Sequence, residues 1–112
     1  MQLPERDRVR LEHMLSSARS AARLAAGRRR DDLDADEMLR LALIHTLAII
    51  GEAASQVSPE SRSKLRAVPW SQIVGMRHRL IHGYFDVDLD RVWDTVVHYV
   101  PSLIEELEAI LP

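Results

Sequence analysis

Residues 35–56 limit the fold more than any other part of this chain, because they read as one helix with apolar side chains on nearly every face. Such a helix has no side to leave in water, so other helices must pack around it and it becomes the centre of the fold. Asp34 is the expected N-cap, and Glu37, three residues later, would close a capping box with it.

The remaining periodicity supplies the neighbours. Leu11, Met14, Leu15, Ala18, Ala21, Ala22 and Ala25 recur at helical spacing over residues 4–26, and Gly27 follows as a stop. Arg28, Arg29 and Arg30, followed by Asp31 and Asp32, read as a solvated loop whose charges roughly cancel. A short helical turn is expected at Ser58-Pro59-Glu60, with proline at a first helical position. Pro69 precedes a third helix over 70–82, which Gly83 ends. Asp86 or Asp88 caps a fourth, with the stripe Val92, Trp93, Val96, Val100, Leu103, Ile104, Leu107 and Ile110. Pro101 lies inside that stripe and removes a backbone donor, so a kink or break is expected there. No strand and no internal repeat is evident. The expected architecture is a single all-α domain over residues 1–112: an antiparallel four-helix bundle with a short extra helical turn between the second and third helices.

Composition narrows the chemistry. The absence of cysteine removes disulfides, iron–sulfur clusters, thiolate zinc and cysteine nucleophiles. The amino terminus is charged from residue 5 onward and lacks the apolar core of a signal peptide. The most apolar stretch, residues 41–50, is interrupted by His45 and is shorter than the roughly 18 apolar residues a membrane span requires. A soluble, cytoplasmic protein with no membrane partner is therefore expected. A net charge of −2 excludes a generally basic nucleic-acid coat, but the charge is uneven. Residues 61–82 hold Arg62, Lys64, Arg66, Arg77 and Arg79, two histidines and no carboxylate, whereas beyond residue 85 seven acids face Arg91 alone. A local anion site is expected in the basic segment.

Within the third helix, at 100° per residue, Trp70, Ile73, Val74, Leu80, Ile81 and Tyr84 share one face, and Arg77 sits in the middle of it. A guanidinium in an apolar stripe needs a carboxylate, a cleft or an anion, because an unpaired buried charge costs several kcal/mol. Glu52 on the central helix is the expected internal partner, in a structural ion pair. His78 and His82 are four residues apart and would share a helix face. They could serve as solvated polar residues, as two of the ligands of a zinc site lacking a third, or as acid–base groups on a phosphodiester. No native metal is expected, since no glutamate completes an HExxH motif. Asp86, Asp88 and Asp90 mimic the opening of a calcium loop, but Arg91 and Val97 stand where that loop needs Gly and Glu. His13, His45 and His98 lie singly, and Trp70 and Trp93 fit core stripes as anchors between the third and fourth helices.

The string Arg77-His78-Arg79-Leu80-Ile81-His82-Gly83-Tyr84 has the form R-x4-H-x-Y. With Ile50-Gly51-Glu52-Ala53-Ala54, Pro69-Trp70, Val74-Gly75-Met76-Arg77, Val87-Asp88-Leu89 and Val92-Trp93 in order around it, the chain resembles the HEPN-domain toxins of the HepT-like ribonuclease family. That resemblance implies a HEPN-like bundle that dimerises and a metal-independent endoribonuclease whose chemistry falls to Arg77 and His82. It implies no cofactor. It also implies a toxin–antitoxin pair, in which a minimal nucleotidyltransferase antitoxin adenylylates the tyrosine matching Tyr84. The commonest family member has Asn directly after the motif arginine, where this chain has His78, so either histidine can be the one that moves the proton.

RNA cleavage needs a base for the 2′-hydroxyl proton, an acid for the leaving oxygen and a cation for the phosphorane. Arg77 supplies the cation and His82 one proton-transfer group, with His78, Arg79 and Glu52 in supporting places. On an unbroken helix Arg77 and His82 point about 140° apart, so fraying before Gly83 or a second subunit of a homodimer is needed to aim both at one phosphate. Tyr84, about 20° from Arg77 on the same wheel, is placed to bring an adenylate beside the guanidinium. The competing readings are a non-enzymatic helical partner of a nucleotidyltransferase and a zinc hydrolase using His78 and His82.

Overall fold

The computed structural model describes residues 2–83 and 86–112. Its frame is an antiparallel pair, α1 (Glu5–Ala25) and α3 (Glu37–Ser55). Ser17 Oγ donates to the Thr46 carbonyl at 3.0 Å near the middle of the pair, and Asp7 at the start of α1 meets Ser58 beyond the end of α3. Leu11, Met14 and Ala18 of α1, Leu43, Leu47 and Ile50 of α3, and Val92, Val100 and Leu107 farther along the chain form the core. Each buried leucine contributes roughly 1.5–3 kcal/mol of transfer free energy.

Gly27 ends α1 as expected, taking φ 72° in the left-handed region. The next helix starts differently from its sequence signal. A four-residue turn, α2 (Asp32–Ala35), intervenes, and Asp36 rather than Asp34 caps α3, accepting from the Leu39 amide at 3.1 Å. The second oxygen of Asp36 accepts from Arg28 at 2.6 Å, which fixes the carboxylate in the capping position. Glu37 is thus the first helical residue and closes no capping box. Asp34 instead pairs with Arg30, which also reaches Asp90, so the charged run staples this junction to the fourth arm of the bundle. Nor is α3 surrounded: Met38 and Leu41 are 83% and 56% exposed, and His45 and Glu52 continue that outward face. By length and composition alone α3 is apolar enough to cross a membrane, with a mean hydropathy of 1.4, although residues 41–50 by themselves fall short. Its opposite face is core.

The turn at Ser58-Pro59-Glu60 is the start of α4 (Pro59–Lys64). Ser58 caps it, and Asp7 receives the Ser58 amide at 3.0 Å, the Ser58 hydroxyl at 2.6 Å and the Ser61 hydroxyl. These donors, the Ser58 hydroxyl foremost, hold the Asp7 carboxyl below the usual aspartate range.

The expected helix over 70–82 is two short helices, α5 (Trp70–Val74) and α6 (Met76–Leu80), separated at Gly75. The path then becomes extended. β1 (Ile81–Gly83) pairs antiparallel with β2 (Asp86–Val87), with Ile81 opposite Val87. A half-buried pair of β-branched residues and a 2.8 Å bond from the Asp88 amide to the Leu80 carbonyl stabilise this hairpin where continued helix was expected. The helix therefore ends at Leu80, before Gly83, and a small two-stranded ladder is present where the sequence shows no strand.

Asp88 caps α7 (Leu89–Asp94), accepting from the Arg91 amide at 3.1 Å. A π-helical turn, Thr95–Tyr99, leads without interruption into α8 (Val100–Ile110), which runs antiparallel to α1 and joins it through Arg19 and Glu108 at 2.6 Å. The break expected at Pro101 is absorbed here. Proline has no N–H to give to residue 97, and the ladder widens in the preceding turn, with the Val100 amide bonding Thr95 five residues back. The predicted stripe from Val92 to Ile110 faces the core throughout. The architecture is all-α apart from the hairpin: α1, α3, α5–α6 and the helical path over 89–110 are the four arms of the bundle, with α4 as the extra turn.

Candidate functional site

The basic segment is laid against α3 by close packing. A Cβ on Gly51 would stand 3.1 Å from the Ile73 carbonyl, so only glycine lets α5 approach this far without a shift. Trp70 Nε1 donates to the Leu65 carbonyl at 3.0 Å, the Arg62 guanidinium lies 5.8 Å from the Trp70 ring centre, and Arg62 Nη2 donates to the Ala54 carbonyl. Ile73 and Leu80 are buried and anchor α5 and α6.

Between the anchor at Leu80 and the turn at Gly75, α6 presents Arg77, His78 and Arg79 to solvent, and β1 presents His82. Arg8, Arg19, Arg28, Arg30, Arg40 and Arg91 all pair with carboxylates. Among the described residues no carboxylate pairs with Arg77 or Arg79, nor with Arg6, Arg10, Arg23, Arg29, Arg62 or Arg66; what sets Arg77 and Arg79 apart is that two histidines share their exposed segment. Two guanidiniums without a carboxylate partner among the described residues and two imidazoles therefore stand exposed within six residues, a donor-rich segment with no acid of its own.

Several sequence expectations change here. Arg77 is exposed, so it is not a buried charge in an apolar stripe; the interruption at Gly75 releases α6 from the face defined by α5. Its side chain borders a narrow crevice with Ile44 and Ala48 of α3 and Ile81. Glu52 lies one turn beyond Ala48, is itself exposed, and forms no ion pair with Arg77. His78 is on a helix and His82 on a strand, so the two rings are not an i, i+4 pair. The same change removes the 140° separation expected of Arg77 and His82, which assumed one straight helix. Tyr84 lies outside the described residues, and its alignment with Arg77 required a helix through Gly83 that ends at Leu80.

On the other side of α6 is a cleft of about 450 Å³ between α5–α6 and the helical path over 89–110. Gln72, Arg79, Arg91, Tyr99 and Glu106 are on its walls. Glu106 Oε2 is buried with no hydrogen-bond partner among the described residues, and burial, followed by the nearby Glu105 charge, pushes its carboxyl above the usual glutamate range. Sequence reasoning missed this cleft. Its one signal was an acid, Glu106, directly beside the stripe residue Leu107.

The sequence profile of the family described as "Ribonuclease HepT-like" matches residues 14–110. "Putative RNase TTE0752" of Caldanaerobacter subterraneus subsp. tengcongensis is 37% identical over 101 residues, 90% of each chain. "Putative RNase MJ1380" of Methanocaldococcus jannaschii is 40% identical over 75 residues, covering 67% of this chain and 69% of the relative. "Probable ribonuclease HepT" of Thermococcus cleftensis is 35% identical over 80 residues, 71% of this chain and 73% of the relative. No solved structure matches the chain significantly.

Proposed function

Because the chain belongs to the ribonuclease HepT-like family, we propose that it is a metal-independent endoribonuclease and the toxin of a cytoplasmic toxin–antitoxin pair. The observation that carries this reading is the exposed run from Arg77 to His82, in which two histidines accompany two arginines that pair with no carboxylate among the described residues. The ribose 2′-oxygen gives its proton to an imidazole and attacks phosphorus. The bond from phosphorus to the 5′-oxygen breaks, and that oxygen takes a proton from an acid. The products are a 2′,3′-cyclic phosphate and a 5′-hydroxyl. Arg77 stabilises the charge of the phosphorane, His82 is one proton-transfer group, and His78 or a histidine of a second protomer is the other.

A homodimer with its cleft near the two-fold axis is part of this proposal. Met38 and Leu41 give α3 an exposed apolar face, and Ile44 of the same helix borders the Arg77 crevice, so burying that face would bring a second protomer up to the site. Adenylylation of Tyr84 by a minimal nucleotidyltransferase antitoxin is the proposed means of silencing: a phosphate beside the cationic run would compete with RNA for it. The test is cleavage of RNA by the purified protein in excess EDTA, with product ends analysed by mass spectrometry. Cyclic phosphate ends are expected from wild type and none from Arg77→Ala or His82→Ala. An inactive, non-toxic wild-type protein would favour the non-enzymatic partner instead.

A further inference from the structure

The cleft on the far side of α6 has no place in the cleavage chemistry, yet it has the features of a ligand site. Its floor is apolar, with Ile50, Ile73 and Leu103 among its residues, and its volume of about 450 Å³ lies within the range of small-molecule pockets. Its polar groups are asymmetric. Arg79, unpaired among the described residues, and Arg91, which pairs with Asp88, stand with Asp94 at the α6 and α7 end, two cations to one acid, whereas the orphaned Glu106 acceptor stands farther along α8. Tyr99 is among the lining residues and 58% exposed, which leaves its ring open for a flat ligand to stack on. Along the helical path the cleft is lined by Arg91, Asp94, Thr95, Tyr99, Ser102 and Glu106 but not by His98, and Tyr99 is the last residue of the π-helical turn.

A ligand that satisfies all of this has a flat aromatic body, adjacent N–H donors at one end and an anionic tail at the other. We propose that the cleft is a base-recognition pocket that holds a guanine of the RNA substrate next to the scissile phosphate, with the Glu106 carboxylate accepting from the guanine N1–H and N2–H groups. Uracil would set a carbonyl, and adenine or cytosine a ring nitrogen, against the carboxylate where guanine sets a second donor. The inference rests on the RNA-cleaving reading for its position. Met76 and Leu80 border both the Arg77 crevice and this cleft, so α6 is the wall between them, and a strand crossing it can place one phosphate at Arg77 and the next at Arg79.

The experiment has two independent arms. In the first, the wild-type protein is titrated with guanosine, adenosine, cytidine and uridine 5′-monophosphates by NMR. GMP is expected to bind at least tenfold more tightly than the other three and to shift resonances of Tyr99 and Glu106. Glu106→Gln should abolish that preference while leaving a folded protein by circular dichroism, and Tyr99→Ala should weaken all four nucleotides. Equal binding of the four, binding of none, or GMP shifts confined to the Arg77 side would overturn the pocket. In the second arm, cut sites are mapped on a random RNA pool, where a guanine excess beside the cut is expected and should vanish in Glu106→Gln. Cleavage without base preference overturns the pocket and leaves the ribonuclease standing. Selective GMP binding with no cleavage of any RNA does the reverse.

Discussion

Ile81 faces Val87 across a two-stranded antiparallel ladder, and that pairing takes His82 off the helix that carries Arg77. Leu80, buried between them, anchors the change of direction. The relative placement of the two proposed catalytic side chains therefore depends on a hairpin whose cross-strand pair is worth only about 0.2–1 kcal/mol. Val87→Ser should lower the cleavage rate at saturating RNA at least several-fold while leaving helix content and RNA affinity close to wild type. Circular dichroism, binding and single-turnover cleavage on the same samples separate these effects; an unchanged rate would show that the hairpin does not position His82.

Asp7 is a buried structural carboxylate on which three donors from Ser58 and Ser61 converge. Its pKa is lowered in the folded protein from an ordinary 3.8, so its stabilisation is present above the unfolded value and is lost as pH falls through the folded one. Asp7→Ala should cost about 2 kcal/mol at neutral pH, because hydrogen bonds to a charged group are lost and the Ser58 and Ser61 hydroxyls lose their acceptor. The cost should shrink on acidification below about pH 4. Urea denaturation of both proteins at several pH values checks this.

The long helices were legible because their signal is averaged over many residues: the α1 stripe from Leu11 to Ala25 and the stripe from Val92 to Ile110 face the core as read. Decisions resting on one residue were not. Asp34 and Asp36 both precede the apolar run, and only the bond from Arg28, a tertiary matter, shows which one caps α3. Residues 76–82 contain good helix formers, and the sequence does not reveal that Ile81 gains more from Val87 than from another helical turn. The Arg77–Glu52 pair failed for the same reason, since a helical wheel carries no knowledge of the interruption at Gly75. Pro101 was a correct signal with a different outcome, a widened turn in place of a break. The basic character of residues 61–82 was legible from residue types alone, whereas the exposure of Arg77 and its lack of a carboxylate partner among the described residues were not.

The exposed face of α3 makes the proposed dimer testable apart from catalysis. Met38→Lys combined with Leu41→Lys should shift the protein from dimer to monomer in sedimentation without loss of fold, because both side chains are outside the core. Mixing Arg77→Ala protomers with His82→Ala protomers should then restore part of the activity if one cleft draws on both chains. No restoration would place each cleft within a single chain.

Co-expression with a neighbouring nucleotidyltransferase should add one or more AMP units to the intact mass, mapped to Tyr84, and relieve toxicity. If Tyr84→Phe is toxic alone and is still neutralised by the partner's catalytic activity, modification of this residue is not the silencing step.

Arg77 and His82, the proposed catalytic pair, stand on an exposed surface that contributes little to the fold. The most direct measurement is single-turnover cleavage of one sensitive RNA in EDTA by wild type and by His82→Ala, with thermal melts of both. Equal melting within about 2 °C is expected, since surface substitutions usually change stability by less than about 0.5 kcal/mol, together with a rate reduced at least about 100-fold, the lower range for loss of a general acid–base group. A His82→Ala protein that melts with wild type and cleaves at the wild-type rate would contradict the catalytic assignment.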